Sequence, residues 1–112
     1  MGTKKMKRGS IVWVNLTDTS PPEMGKTRPG IILSNIDQNG ILQTVVIIPL
    51  SSLAPEIWRL RIRIAPGAKK PSFAIIPGLR QVSKARVHEI IGAASAETME
   101  SLLDAAAAYL SD

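Results

Sequence analysis

The chain has 112 residues, with 14 Lys and Arg against 9 Asp and Glu, a formal net charge of +5, and no cysteine. A chain of this length predicts one domain over residues 1–112, and the positive charge favours a polyanionic partner. The lack of cysteine excludes disulfides, a thiol nucleophile and the usual structural zinc sites.

The N-terminal segment is basic, but it does not read as a targeting signal. The apolar run at residues 11–14 ends at Asn15, which is too early for the core of a signal peptide. No stretch approaches the roughly 20 apolar residues that cross a bilayer. We therefore expect a cytoplasmic protein that has no membrane partner.

The first half of the chain alternates short β-branched runs with turn residues, which predicts strands. We expect strands at residues 10–16, 30–33 and 42–50. The polar residues 35–40 are predicted to form a turn. Residues 17–28 contain two prolines and are predicted to form a long loop. Such loops in small domains are usually functional or mobile, and we expect residues 17–27 to be mobile without a ligand.

The second half continues with short strands, broken by connections predicted at residues 53–56 and 65–71. Residues 58–64 alternate strictly, which predicts a half-buried strand with arginines 59, 61 and 63 on one face. We interpret that face as solvated rather than as an RNA track. Further strands are expected at 73–76, at 78–82 after a break at Pro77, and at 87–92, with a helical turn at 83–86. His88 is interpreted as structural or exposed.

A C-terminal helix is the clearest element. Ser95 is a suitable N-cap with Glu97 in the first turn. The apolar residues that recur at helical spacing, predicted as core, are Met99, Leu102, Leu103, Ala106, Ala107 and Leu110. The expected fold class is mainly β with a C-terminal α-helix, as a small SH3-like barrel or a strongly bent antiparallel sheet.

Two motifs carry the chemistry. Residues 25–30 read Gly-Lys-Thr-Arg-Pro-Gly before one predicted strand, and residues 47–52 read Ile-Ile-Pro-Leu-Ser-Ser at the end of the next. They place a guanidinium, Arg28, and a hydroxyl, Ser51, at strand ends in a chain with one histidine. That pair suits a phosphodiester. In the alternative interpretation, Arg28 is an exposed loop residue and Ser51 caps a strand.

The order and spacing of four segments resemble the MazF/PemK-like toxins of type II toxin-antitoxin systems, within the CcdB/MazF superfamily. The segments are residues 8–13 (RGSIVW), 23–29 (EMGKTRP), 49–52 (PLSS) and 79–87 (LRQVSKARV). The resemblance runs nearly end to end. It implies an SH3-like barrel and a sequence-selective endoribonuclease, an mRNA interferase acting on single-stranded RNA with no metal and no cofactor.

The resemblance also implies residue roles. Arg28 and Ser51 are the catalytic residues that it implies, for cleavage by attack of a ribose 2′-OH; a guanidinium matches two phosphate oxygens and stabilises the added charge. Proton transfer by Arg28 is implied by the resemblance alone. Ser52 is the alternative hydroxyl if the register shifts by one residue. The residues expected to bind RNA are Glu23, Lys26, Thr27, Ser52 and Arg80.

The chain departs from the family pattern at two places. Ser10 stands where an acidic residue is usual, and Pro77-Gly78 stand where relatives have a glutamine that helps to read bases. The cleavage motif therefore does not carry over.

The implied partners are a second copy of this chain, as a homodimer, and an antitoxin whose flexible acidic segment covers the groove.

Two other functions stay open on the sequence. One is a CcdB-like DNA gyrase poison on the same fold, although that branch does not explain the Arg-Pro and Ser-Ser motifs. The other is a catalytically silent SH3-like binding module, against which the pairing of Arg28 with Ser51 counts. RNA cleavage, gyrase trapping and growth arrest distinguish the three.

Overall fold

The computed structural model describes residues 6–17, 27–51, 61–64 and 72–111, and it confirms the predicted class, mainly β with a C-terminal α-helix. The predicted connections at 53–56 and 65–71, and the first part of the strand predicted at 58–64, lie outside the described residues.

The elements are β1 (Ser10–Asn15), β2 (Thr27–Ile32), α1 (Ile36–Ile41), β3 (Thr44–Ser51), β4 (Arg61–Ile64), β5 (Ser72–Ile75), a first 3₁₀ turn (Ile76–Gly78), β6 (Arg80–Ser83), a second 3₁₀ turn (Lys84–Arg86), β7 (Val87–Ala93) and α2 (Ala96–Tyr109).

The strands described form one antiparallel sheet in the order β4-β5-β3-β2-β1-β7, and β6 also pairs with β3. Ile47 of β3 pairs with Ile32 of β2 and with Arg80 of β6, so β2 and β6 lie on opposite edges of β3. The second 3₁₀ turn, which matches the helical turn predicted at 83–86, links β6 to β7. In the described part of the chain, β4 and β7 are the two ends of this strand order and do not pair with each other, so the sheet is open.

Both faces of the sheet are buried, by two different clusters. The face that packs against α2, here called the α2 face, includes Ile31, Ile48, Leu50, Met99 and Leu102. The other face, here called the inner face, buries Val12, Val14, Leu16, Ile32, Val45, Ile47 and Val82. Alternation along each strand supplies the two sets. Because the second cluster comes from strands β1, β2, β3 and β6 and the residue after β1, the sheet curves around it, as the predicted bent sheet requires.

The edge of β3 explains a proline inside a central strand. β6 pairs with the first half of β3, up to Ile47, and β5 pairs with its last two residues, so the first 3₁₀ turn interrupts the edge between them. The carbonyl of Val46 accepts from Leu33 on the β2 side at 2.8 Å. Backbone groups alternate between the two edges of a strand, so Pro49, three residues after Val46, faces the interrupted edge. No strand pairs with β3 at that point, so the missing N–H of Pro49 costs no hydrogen bond of the sheet.

The polar turn predicted at residues 35–40 is wrong, because this segment forms α1. Asn35 is its N-cap. Asn39 is only 3% exposed. Its Nδ2 donates to the carbonyls of Met6 at 2.5 Å and Ser34 at 3.0 Å, and its Oδ1 accepts from the Ser34 hydroxyl at 2.5 Å. Polar residues that suggested a turn instead hold a short helix through tertiary hydrogen bonds.

The long loop predicted at residues 17–28 is too long at its C-terminal end. Thr27 and Arg28 belong to β2, where they pair with Asn15 and Val14 of β1. Arg28 is therefore a strand residue with a fixed position between neighbouring strands. Residues 18–26, and with them the predicted mobility of the loop, lie outside the described residues.

Helix α2 begins as predicted, since the Ser95 side chain accepts from the Thr98 N–H at 3.1 Å. Its predicted apolar stripe is only partly core. Met99, Leu102 and Ala106 are buried, with Ala105 beside them, but Leu103 is 37% exposed and Leu110 is 70% exposed, and Ala107 is also exposed. The predicted stripe is too wide, because one narrower face of the helix is enough to cover the sheet. Within the described ranges, no helix is long and apolar enough to cross a membrane.

Candidate functional site

The register of β2 and β3 relates the two candidate catalytic residues. The pairs are Gly30 with Pro49, Ile31 with Ile48, and Ile32 with Ile47. If this register continues by two residues within the same strands, Arg28 lies opposite Ser51. Directly opposite residues in antiparallel strands share a face, with Cβ atoms about 4.5–5.5 Å apart. The register therefore predicts that a guanidinium and a hydroxyl 23 positions apart in sequence are neighbours.

Arg28 and Ser51 lie on the inner face. They alternate in phase with Ile32 and Ile47, which belong to the inner cluster. Both are half-buried, at the end of the strands where the inner cluster stops. Low-dielectric surroundings strengthen electrostatic interactions, so a charge on this rim acts more strongly than one in open solvent.

The same row continues over further strands. Val14 of β1 pairs with Arg28, Phe73 of β5 pairs with Ser51, and Arg63 of β4 pairs with Phe73. We call Val14, Arg28, Ser51, Phe73 and Arg63 the site row. Val14 and Phe73 are buried, whereas Arg63 is exposed. The row therefore places the polar pair between two apolar residues and ends on a second guanidinium.

The first 3₁₀ turn packs beside this pair. A Cβ on Gly78 would lie 2.7 Å from Cγ and 3.2 Å from Cδ of Pro49. Pro49 is fully buried and shares the face of Ser51, two residues away on β3. The turn approaches Pro49 this closely because position 78 has no side chain, which gives a physical reason for glycine at this position.

Thr27 lies next to Arg28 in β2, as its candidate role requires, and it is exposed. It pairs with Asn15, whose Oδ1 accepts from the Thr17 N–H at 3.0 Å and from its hydroxyl at 2.6 Å. The Asn15 carbonyl accepts from Nη1 of Arg86 at 3.3 Å. Hydrogen bonds therefore hold the rim of the site at this end.

Arg80 is on the same face but outside the site row. It pairs with Ile47, four residues from Ser51 along β3, which corresponds to about 13 Å. Its Nη1 atom is shielded from solvent, and its Nε donates to the carbonyl of Gln81 at 3.5 Å. The remaining candidates for RNA binding, Glu23, Lys26 and Ser52, lie outside the described residues.

Arg63 is a residue whose place in the site row the sequence did not predict. It is exposed, which agrees with a solvated strand face. Its position in the site row depends on β5 lying between β3 and β4, and no local pattern in the sequence reveals that order. His88 is exposed on β7, as expected. In the part of the chain that the structure describes, no three His, Asp or Glu side chains form a potential metal site.

The arrangement can hold a phosphodiester from two sides. A guanidinium presents five N–H donors in a planar fork and binds two phosphate oxygens together. A serine hydroxyl both donates and accepts, so it can bind a phosphate oxygen or a ribose hydroxyl.

Comparison with known proteins agrees with this fold. The sequence profile of the PemK-like, MazF-like toxins of type II toxin-antitoxin systems matches residues 7–110. The chain belongs to this toxin family. The profile covers nearly all of the described structure, including β2 with Arg28 and β3 with Ser51.

Several solved structures share the fold. MazF from Deinococcus radiodurans is 20% identical, with a TM-score of 0.87 over 96% of this chain and 98% of that one. An endoribonuclease from a mycobacterial species, in complex with its cognate antitoxin, is 19% identical, with a TM-score of 0.77 over 93% of each chain. The Mycobacterium tuberculosis toxin MazF-mt6 is 19% identical, with a TM-score of 0.74 over 88% of this chain and 93% of that one. At these identities the likeness establishes the fold.

Proposed function

We propose that this toxin-family protein is a metal-independent, sequence-selective endoribonuclease that cuts single-stranded RNA in the cytoplasm. The observation that supports the proposal is the register of β2 and β3, which, extended by two residues, puts Arg28 opposite Ser51 on the inner face. Membership of the toxin family supports it. An endoribonuclease with the same fold adds support.

The proposed reaction uses the RNA's own nucleophile. The ribose 2′-oxygen loses its proton and bonds to the adjacent phosphorus, and the bond from phosphorus to O5′ breaks. The products are a 2′,3′-cyclic phosphate and a 5′-hydroxyl, since O5′ takes up a proton. A second negative charge develops on the phosphoryl oxygens in between, so stabilising this added charge is the main demand on the protein.

The two residues meet this demand differently. Arg28 binds the phosphoryl oxygens through its fork and neutralises the added charge. Ser51 donates to a phosphoryl oxygen or accepts from the 2′-OH, which orients the attack. A guanidinium stays protonated near neutral pH, so charge stabilisation is the role assigned to Arg28 on physical grounds. Proton transfer by Arg28 rests on the family resemblance.

The proposed inhibitor is an antitoxin with a flexible acidic segment. The solved mycobacterial relative is bound to its cognate antitoxin. This chain carries a net charge of +5, and arginines 28 and 63 lie in one row of the sheet. An acidic segment laid along the site row would cover Arg28, and its association would weaken as salt rises.

A second copy of the chain is the other proposed partner, docked on β7. In the described part of the sheet, β7 is an end strand that pairs with β1 alone. Ile90 is 36% exposed and Ile91 is 44% exposed, on alternating sides of the strand. An end strand with apolar side chains pairs readily with another chain. Burial of these residues against a partner would complete a homodimer.

The experiment that tests the function incubates purified protein with a long single-stranded RNA in EDTA and maps the fragment ends. We expect discrete cuts with 5′-hydroxyl ends, lost in Arg28→Ala and strongly reduced in Ser51→Ala. Lys7→Ala, which removes an exposed positive charge before β1, is the control and should cut normally. Intact RNA over a broad set of sequences would contradict the proposal, and gyrase trapping would then distinguish a poison from a silent binding module.

A further inference from the structure

Arg63 of β4 ends the row of residues that begins at the candidate catalytic pair. We propose that Arg63 is a second phosphate-binding residue, and that the RNA strand runs across the sheet from Arg28 and Ser51 to β4. This inference rests on the proposed function. It replaces the interpretation of Arg63 as a member of a merely solvated strand face.

The face on which Arg63 lies follows from its neighbours. Ile62 and Ile64 are buried on the α2 face, so the alternation of β4 puts Arg63 on the inner face. Its direct partner across the strands is Phe73, which itself pairs with Ser51. Opposite residues in antiparallel strands share a face. Arg63 is thus exposed on the face that carries Arg28 and Ser51.

The spacing fits neighbouring positions on one RNA strand. Three strand-to-strand steps separate Arg28 from Arg63, which is about 14 Å at 4.7–4.9 Å per step. This spacing places Arg63 next to the position of a neighbouring phosphate, beside the one that Arg28 and Ser51 hold. Two long side chains at this spacing reach different phosphates of one backbone. Grooves that bind single strands follow the backbone with positive charge in this way.

The strands around the row contribute positively charged residues to this part of the sheet. Strands β1 to β5 contain the arginines 28, 61 and 63 and no Asp or Glu. Phe73, between Ser51 and Arg63, is 6% exposed, so its ring forms part of the floor and is not a platform for base stacking. The row therefore contacts RNA through its phosphates, which carry no sequence information.

The test measures the affinity for an RNA oligonucleotide whose 2′-O-methyl groups prevent cleavage, over a range of salt concentrations. Each phosphate contact to a single strand contributes about −0.7 to the slope of log K against log salt. We expect Arg63→Gln to reduce the magnitude of the slope by about 0.7 and to weaken binding alike for different sequences. Arg63→Lys, which keeps the charge, should retain the slope. Lys7→Gln, which removes a charge away from the row, should also retain it.

A second measurement separates phosphate binding from catalysis. In single-turnover cleavage, Arg63→Gln should raise the protein concentration that gives half the maximal rate and leave the maximal rate unchanged. An unchanged salt slope in Arg63→Gln, with a wild-type protein that binds and cuts RNA, would overturn this inference and leave the proposed function standing. If Arg63→Gln weakened only the binding of an acidic peptide and left RNA binding intact, that result would also overturn this inference. A wild-type protein that does not bind RNA would overturn both.

Discussion

Gly78 and Pro49 pack against each other so closely that a Cβ on Gly78 would lie 2.7 Å from Cγ of the Pro49 ring. The proline ring is rigid and fully buried, so it cannot move aside. We expect Gly78→Ala to destabilise the protein by about 1–3 kcal/mol, the usual range for overpacking, and to lower RNA cleavage by displacing the turn beside Ser51. Denaturant unfolding and the cleavage assay measure the two effects.

Gly40→Ala is the matched control for this change. Gly40 lies in α1, and nothing stands within 4 Å of the position of its Cβ. Alanine in a helix is favoured over glycine by roughly 0.5–1 kcal/mol, so this variant should be as stable as the wild type or more so. Equal stability of both variants would contradict the packing described for Gly78.

A pair of Asn→Asp substitutions in and before α1 separates two kinds of hydrogen bond. In Asn39→Asp the donors to the carbonyls of Met6 and Ser34 are lost and an acidic group is buried. We therefore expect the free energy of unfolding to fall by about 1–3 kcal/mol or more. In Asn35→Asp the cap oxygen that accepts from the Gln38 N–H remains, so stability should hardly change. Thermal unfolding compares the two, and similar melting temperatures would contradict the role assigned to Asn39.

Substitution of Arg28 by lysine tests whether the fork matters as well as the charge. Lysine keeps a positive charge but cannot bind two phosphate oxygens as a planar pair. We expect Arg28→Lys to cut RNA far more slowly than the wild type, while RNA binding falls much less. Loss of one hydrogen-bond donor to a developing oxyanion lowers rates by roughly 10²–10³-fold, the scale expected for Ser51→Ala. Full activity in Arg28→Lys would assign Arg28 a purely electrostatic role.

A charge on the exposed edge strand tests the proposed dimer. Ile91 of β7 is 44% exposed, so Ile91→Lys should not disturb the described core. We expect it to shift the protein from dimer to monomer in analytical ultracentrifugation, because burying a lysine in an apolar interface is unfavourable. Leu110→Lys at the end of α2, where the side chain is 70% exposed, is a comparison that tests whether the helix takes part. A dimer unaffected by Ile91→Lys would place the interface elsewhere.

Sequence patterns predicted the elements whose residues alternate or repeat. The apolar run at residues 11–14, the β-branched run of β3 and the helical spacing of α2 each indicate buried positions, and the structure has these elements. Helix α1 was missed because its six residues contain no apolar repeat and depend on hydrogen bonds from Asn39 to a distant carbonyl. A local pattern cannot register such a tertiary contact.

The candidate site was predictable in part for a related reason. Arg28 and Ser51 could be selected from their motifs, but their relative position depends on the register of β2 and β3. That register is fixed by pairs such as Ile31 with Ile48, which only the folded sheet reveals. The place of Arg63 depends further on the strand order β4-β5-β3, a property of the whole sheet.

Arg28 and Ser51 are proposed to promote attack by the ribose 2′-OH. The most direct test uses an RNA that the protein cuts at one mapped site, in EDTA, beside the same RNA with a single 2′-deoxy nucleotide on the 5′ side of that bond. We predict that the first is cut to a 5′-hydroxyl and a 2′,3′-cyclic phosphate, and that the second stays intact. Cleavage of the deoxy-substituted bond at a similar rate would contradict the mechanism.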